Sequence, residues 1–126
     1  MKTKKILRFY FGAESLETAF NNLIEHKAFD FEADTLETAE RLCLIIGEKM
    51  RLERLWAYLD GVLSAFSDAE REALCCYSSR REVPLSDEER KAAKRATIKF
   101  TRRARRLGDF ADDISILKKY FNLIKV

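Results

Sequence analysis

Lys91, Lys94, Arg95, Arg102, Arg105 and Arg106 are the residues whose types and spacing point most directly to chemistry. At about 100° per residue these six cations gather on one side of a helix, while Ala93, Ala96, Phe100, Ala104 and Leu107 gather on the other. The segment 86–107 holds nine Lys/Arg and three Asp/Glu. By contrast 1–85 holds twelve and fifteen, and 108–126 holds three of each, so the net charge of +3 comes from this one stretch. A helix with a packed face and a basic face suits an anionic partner. From Lys91 to Arg106 it spans about 22 Å at 1.5 Å per residue, enough to track several phosphates. Ile98 sits in the middle of the basic face, where an apolar side chain would touch a thymine methyl or a partner protein. The competing reading is internal: the N-terminal part is acidic (Glu14, Glu17, Glu25, Asp30, Glu32, Asp34, Glu37 and Glu40), so the face pairs within the fold or stays solvated.

Other chemistry-bearing residues point away from catalysis. His26 is the only histidine, and no Cys-x-x-Cys or Glu-x-x-His accompanies it, so it reads as a surface or half-buried residue near a helix end. Cys75 and Cys76 are adjacent, too close along the chain for ordinary disulfide geometry, and read as small buried thiols. In Glu88-Glu89 and Asp112-Asp113 the neighbours point about 100° apart on a helix, so adjacency alone cannot share a proton or a metal. Trp56 and Tyr58, beside Leu55 and Leu59, form core packing, or an interface patch if Tyr58 is exposed. With no Gly-rich phosphate loop, nucleophile elbow or metal cluster, the sequence reads as a non-enzyme without cofactor, metal or small-molecule substrate.

The elements that must carry these residues are helices. Four Gly and one Pro in 126 residues favour a few long helices over many strands. The spacing of Ile6, Tyr10, Ala13, Leu16, Phe20, Leu23 and Ile24 predicts a first helix over 4–27, with Gly12 inside it. Phe29 and Phe31 then tuck into the core from a short connection. Asp34, with Glu37 three positions on, opens a second helix over 35–66. Its apolar side drifts: Leu42, Cys43, Ile46 and Met50 share one face, and Leu52, Leu55, Leu59, Val62, Leu63 and Phe66 lie on another. The helix therefore contacts different neighbours at its two ends or bends near Gly47, and either way lies at the centre of the fold. Two Ser-Asp-x-Glu signals, at Ser67 and Ser86, start helices over 68–79 and 87–107, joined by a loop with Arg80, Arg81 and Pro84. Gly108 then ends the basic helix and Asp109 caps a last one over 110–124, where Phe110, Ile114, Leu117, Phe121 and Ile124 form the cleanest amphipathic pattern. Its Lys118 and Lys119 face outward near the negative end of the helix dipole. The expected fold is all-α: one domain over 1–126, a compact bundle of about five helices.

No apolar run is longer than 42–46, far short of the roughly 20 residues that span a bilayer, so no membrane is expected. Residues 1–11 begin like a leader with Lys2, Lys4 and Lys5, but Arg8 interrupts the apolar stretch. The expected compartment is the cytoplasm, where Cys43, Cys75 and Cys76 stay reduced.

The stretch 52–77 reads L-x-x-L-W-x-Y-L-x-x-V-L-x-x-F-S-D-x-E-R-x-x-L-x-x-Y, with an Arg-rich helix further on. It resembles the lead-in of small phage-type transcriptional regulators similar to region 4 of sigma factors. It also resembles small helical proteins of anaerobic Firmicutes for which no activity is assigned. The regulators' pattern implies DNA binding, with Arg95, Arg102 and Arg106 as the phosphate or base contacts. The chain departs from it in one place: only 78–85 stands where those regulators place a further helix and a tight turn. The leading expectation is a helical interaction protein, such as a phage or mobile-element accessory factor, whose partner is another protein or a second copy of itself. The runner-up is a DNA- or RNA-binding regulator using the basic helix.

Overall fold

The described residues of the computed structural model, 3–28, 35–79 and 83–121, form five α-helices and one 3-10 turn with their connections, and no strand. In chain order they are α1 (Thr3–Ala28), α2 (Thr35–Leu63), α3 (Asp68–Ser78), α4 (Asp87–Arg103), the 3-10 turn Leu107–Phe110 and α5 (Ala111–Phe121). The fold is an all-α bundle, as the periodicities predict. Asp34, Phe29, Phe31, Arg80, Arg81 and Ile124 lie outside the described residues.

Local sequence chemistry explains the starts of α3 and α4. The Ser67 and Ser86 hydroxyls each accept from the amide three residues on, both at 3.2 Å. The Glu70 and Glu89 carboxylates accept in return from the serine amides, at 2.9 and 3.2 Å. Four backbone groups that a bare helix start would leave unmade are thereby satisfied. The Ser67 amide, and next the Lys99 ammonium, hold the Glu70 carboxyl below its usual range.

Basic side chains close several helix ends in the same manner. Arg8 Nε donates to Ser78 O at 3.0 Å at the end of α3, and Arg71 Nε to Leu63 O at 3.0 Å at the end of α2. Each contact ties one helix to another, so it orients as well as caps.

Packing concentrates at one end of the α1–α2 hairpin. Ile6, Leu7, Phe9, Ala13, Leu16 and Phe20 of α1 are buried against Leu52, Leu55, Leu59 and Leu63 of α2, Leu74 of α3, Phe100 of α4, and Leu117 and Phe121 of α5. Because α2, α3 and α5 all pack on α1, its start is buried over a wide arc that includes Leu7 and Phe9. The pair runs antiparallel, since Tyr10 Oη donates to Asp60 Oδ1 at 2.8 Å.

Burial pushes the Tyr10 phenol from its ordinary 10.0 up to about 12, and the hydrogen bond to Asp60 and its charge add to the rise. The folded value lies above the unfolded one, so this stabilisation is complete below about pH 10 and is lost as pH rises through about 12. Urea midpoints are expected to fall between about pH 10 and pH 12, and to fall less in Tyr10→Phe. Tyr120, raised by burial and by Glu48, keeps its own share of the slope in that variant. Equal slopes in the two proteins would remove Tyr10 as the cause.

Long-range ion pairs seat α5 antiparallel on α2. Arg51 Nη1 and Arg54 Nη2 both donate to Asp113 Oδ1 at 2.8 Å, and Asp113 is buried. Lys119 Nζ meets Glu48 Oε1 at 2.8 Å, and Tyr120 Oη donates to the other Glu48 oxygen. Lys119 faces outward as expected, and is in addition paired across helices.

Among the described residues two boundaries differ by more than one residue from the periodic reading. The helix predicted over 87–107 stops at Arg103, with Ala104 leaving helical geometry at φ −88° and ψ 45°. The chain then turns through Leu107 N–H to Ala104 O, 3.2 Å, into the 3-10 segment. The physical reason is tertiary. Tyr58 stacks on Phe110 with ring centroids 4.7 Å apart, and its hydroxyl accepts from the Arg106 amide at 3.0 Å. Gly108 and Asp109 consequently sit within the 3-10 segment, and Asp109 pairs with Arg106 at 3.1 Å instead of capping the last helix. The second helix also ends earlier than 66, at Leu63, where the chain turns toward the buried Phe66.

The largest correction concerns the first half of α2. It runs unbroken through Gly47, but its Leu42–Cys43–Ile46–Met50 side is not covered by a second set of neighbours. Only Leu42 is half-buried, whereas Cys43, Ile46 and Met50 are exposed. No α2 residue before Leu52 whose burial is described is buried, and none of α1 after Phe20.

Candidate functional site

The basic face is built by α4 and the turn after it. Ala93, Ala96 and Phe100 are buried, with Ala104 just beyond the helix end, so the helix has one fixed rotation on the bundle. On its opposite side Lys91, Arg95, Ile98 and Arg102 follow one another at spacings of four, three and four, with Lys94 beside them, and all five are exposed. The structure thus brings these five together on one face. Arg105 and Arg106 are exposed too, but lie in the turn beyond the helix, so they extend the charged surface without continuing the helical row. The helical row from Lys91 to Arg102 is about 17 Å long at 1.5 Å per residue.

Among the described residues, which leave out Asp30, Glu32 and Asp34, the electrostatics of this face favour display to solvent over pairing within the fold. Among the described residues only Arg106 of the six cations forms an ion pair, with Asp109. Arg95 and Arg105 donate to the carbonyls of Lys91 and Arg102, at 3.4 and 3.2 Å, which leaves their charge unneutralised. No ion pair joins Glu14, Glu17, Glu25 or Glu40 to α4 among these residues. The basic residue that does pair across helices is Lys99, on the flank, which meets Glu70 at 2.9 Å and lies over the Phe66 ring at 4.6 Å. Ile98 also borders an open groove with Tyr77, Val83, Pro84, Leu85 and Lys94.

A second surface was misread from sequence. At 100° per residue Leu36, Ala39, Cys43, Ile46 and Met50 lie on one side of α2, opposite Leu52, Leu55, Leu59 and Leu63. All five are exposed, Leu36 at 70%, Met50 at 59% and Ile46 at 39%. Their spacing of three, four, three and four is the a/d repeat of a coiled-coil seam, and Ala57 falls in the same register. The signal was present in the sequence, in that 3.5-residue period; what misled was the assumption that an apolar stripe is covered by its own fold.

The remaining candidates resolve into structure. His26 is exposed near the end of α1. Burial, aided by the Glu72 charge, pushes the half-buried Cys75 thiol up, and Cys76 Sγ donates to Glu72 at 3.6 Å. Asp112 is exposed while Asp113 holds two arginines, so the adjacent pair shares nothing. Trp56 and Tyr58 are half-buried against the core, with Tyr58 stacked on Phe110. Among the described residues no group of three His, Cys, Asp or Glu is placed to hold a metal ion, and no helix is long and apolar enough to cross a membrane. Set against known proteins, the chain matches no family model, no curated protein and no solved structure.

Proposed function

We propose that the protein is a non-enzymatic helical binding module that docks another protein, or a second copy of itself, on the open face of α2. The observation that carries this reading is the exposed a/d stripe from Leu36 to Met50. Five apolar residues at coiled-coil spacing on a helix face that its own core does not use suit an incoming helix, because knobs at that spacing fit the holes of a helix alone. Ile46→Glu together with Met50→Glu is expected to leave helix content and the stability of the unassociated chain nearly unchanged, since surface substitutions typically move stability by no more than about 0.5 kcal/mol. The same pair is expected to remove the associations the wild-type chain makes, read side by side by sedimentation velocity and by co-purification from its own cells. Associations that survive both substitutions would sink the reading.

A second reading is favoured by a separate observation, the display of Lys91, Lys94, Arg95, Arg102 and Arg105 without acidic partners among the described residues. Such a face supports binding to nucleic-acid phosphates, with Ile98 against a base or sugar. The resemblance to sigma region 4-like regulators points the same way. Fluorescence anisotropy with a mixed-sequence duplex at several salt concentrations tests it, and absence of binding at about 50 mM salt would rule it out.

A further inference from the structure

We infer that the occupant of the α2 stripe is the same stripe of a second copy, running antiparallel about a two-fold axis. This rests on reading the stripe as a docking face, and it commits to partner, orientation and register. Period comes first. Leu36, Ala39, Cys43, Ile46 and Met50 keep a strict 3.5-residue repeat, so the complementary surface is another helix with the same repeat. A two-fold axis supplies one, because an isologous interface sets a patch against itself.

Charge then selects the direction. Glu40 flanks the amino end of the seam, and Lys49 and Arg54 flank its carboxyl end. In a parallel pair the flanking positions that meet are five residues apart, which sets Lys49 beside the partner's Arg54, positive against positive. In an antiparallel pair Glu40 leans toward the partner's Arg54, and Arg54 toward the partner's Glu40. Arg54 is available for this: its side chain remains 61% exposed while it holds Asp113. The Glu40–Arg54 pairs fix the register: setting Leu36 opposite the partner's Ile46 also gives four apolar layers but parts those charges, whereas the register that joins them leaves Leu36 facing the partner's Glu53. With Cys43 opposite the partner's Ile46, Ala39 falls opposite the partner's Met50, and the axis repeats both layers to give a run of four apolar contacts.

The experiment combines sedimentation equilibrium with electron–electron distance measurement on the full chain. Wild type is expected to be a dimer that weakens at least about a hundredfold in Ile46→Glu with Met50→Glu. For distances, a spin label is placed at Ala57→Cys with Cys43, Cys75 and Cys76 changed to Ala, and circular dichroism confirms that this variant folds. The stated register offsets the two labels by about 25 residues, roughly 38 Å along the axis, whereas a parallel pair holds them within about 15 Å. Glu40→Arg, with every native cysteine kept, is expected to weaken the antiparallel dimer about fivefold to tenfold and to leave a parallel one unchanged.

A label separation under about 15 Å overturns the antiparallel pairing and leaves the docking face standing. A monomer at every concentration overturns the second copy as occupant, again leaving the docking face to a different protein. A dimer indifferent to Ile46→Glu with Met50→Glu overturns this pairing and the docking-face reading together.

Discussion

Phe100→Ala is expected to cost about 3–5 kcal/mol of folding stability, and roughly 10–20 °C in Tm, whereas Ile98→Ala two residues away costs no more than about 0.5 kcal/mol. Phe100 is 1% exposed and Ile98 45%. The buried residues of α4 are Ala93, Ala96 and Phe100, so a single large side chain carries most of the apolar grip of this helix on the bundle. The neighbours that would have to collapse into the vacated space belong to several different helices, and such sites relax poorly. Urea unfolding of both variants measures the difference. Comparable losses at the two positions would mean that the rotation of α4, and with it the basic face, is wrongly assigned. The contrast therefore tests the surface that the second functional reading depends on, without needing a ligand.

Neutralising that surface is the other large expected effect. Lys91→Ala, Arg95→Ala and Arg102→Ala together are expected to lower the log–log salt slope of duplex binding by close to three, about 0.9 for each lost phosphate contact, and affinity at low salt by about a hundredfold. All three are exposed, and among the described residues none forms a cross-helix ion pair, so the triple variant is expected to keep the fold and the change reads binding alone. Lys99→Ala serves as the contrast. Its ammonium is occupied by Glu70 and the Phe66 ring, so it is expected to lose stability and to leave the salt slope almost unchanged. A triple variant with the wild-type slope would show that the duplex is held elsewhere on the molecule.

The two candidate surfaces differ in how far they could be read from the residues. The α4 face was legible because both of its determinants are local. Ser86 and Glu89 mark where the helix begins, and the Ala/Phe row marks which side is packed. What could not be read was whether an acidic residue far along the chain would come to meet it. Glu70 does so for Lys99, 29 residues away, and for no other residue of the helix. The α2 stripe failed for a related reason. Its period is plain in the sequence, but burial depends on whether another element arrives. The rest of the bundle packs around the opposite end of the α1–α2 hairpin, where the buried residues of both helices lie.

The sequence by itself determined the helices, their class and most of their starts, because hydrogen bonds and caps within a few residues decide those matters. It also determined which side of α4 is packed, since a 3.6-residue period separates faces without reference to anything else. Only the tertiary structure decided where α4 stops, since the stacking of Tyr58 on Phe110 draws the chain after Arg103 into a turn. The same is true of Asp113: its fate as a buried clamp for Arg51 and Arg54 depends on residues 62 and 59 positions distant. Exposure of the Leu36–Met50 stripe belongs to this second group too. An apolar period states that a face seeks cover, and only the packing of the whole chain shows whether the molecule supplies it.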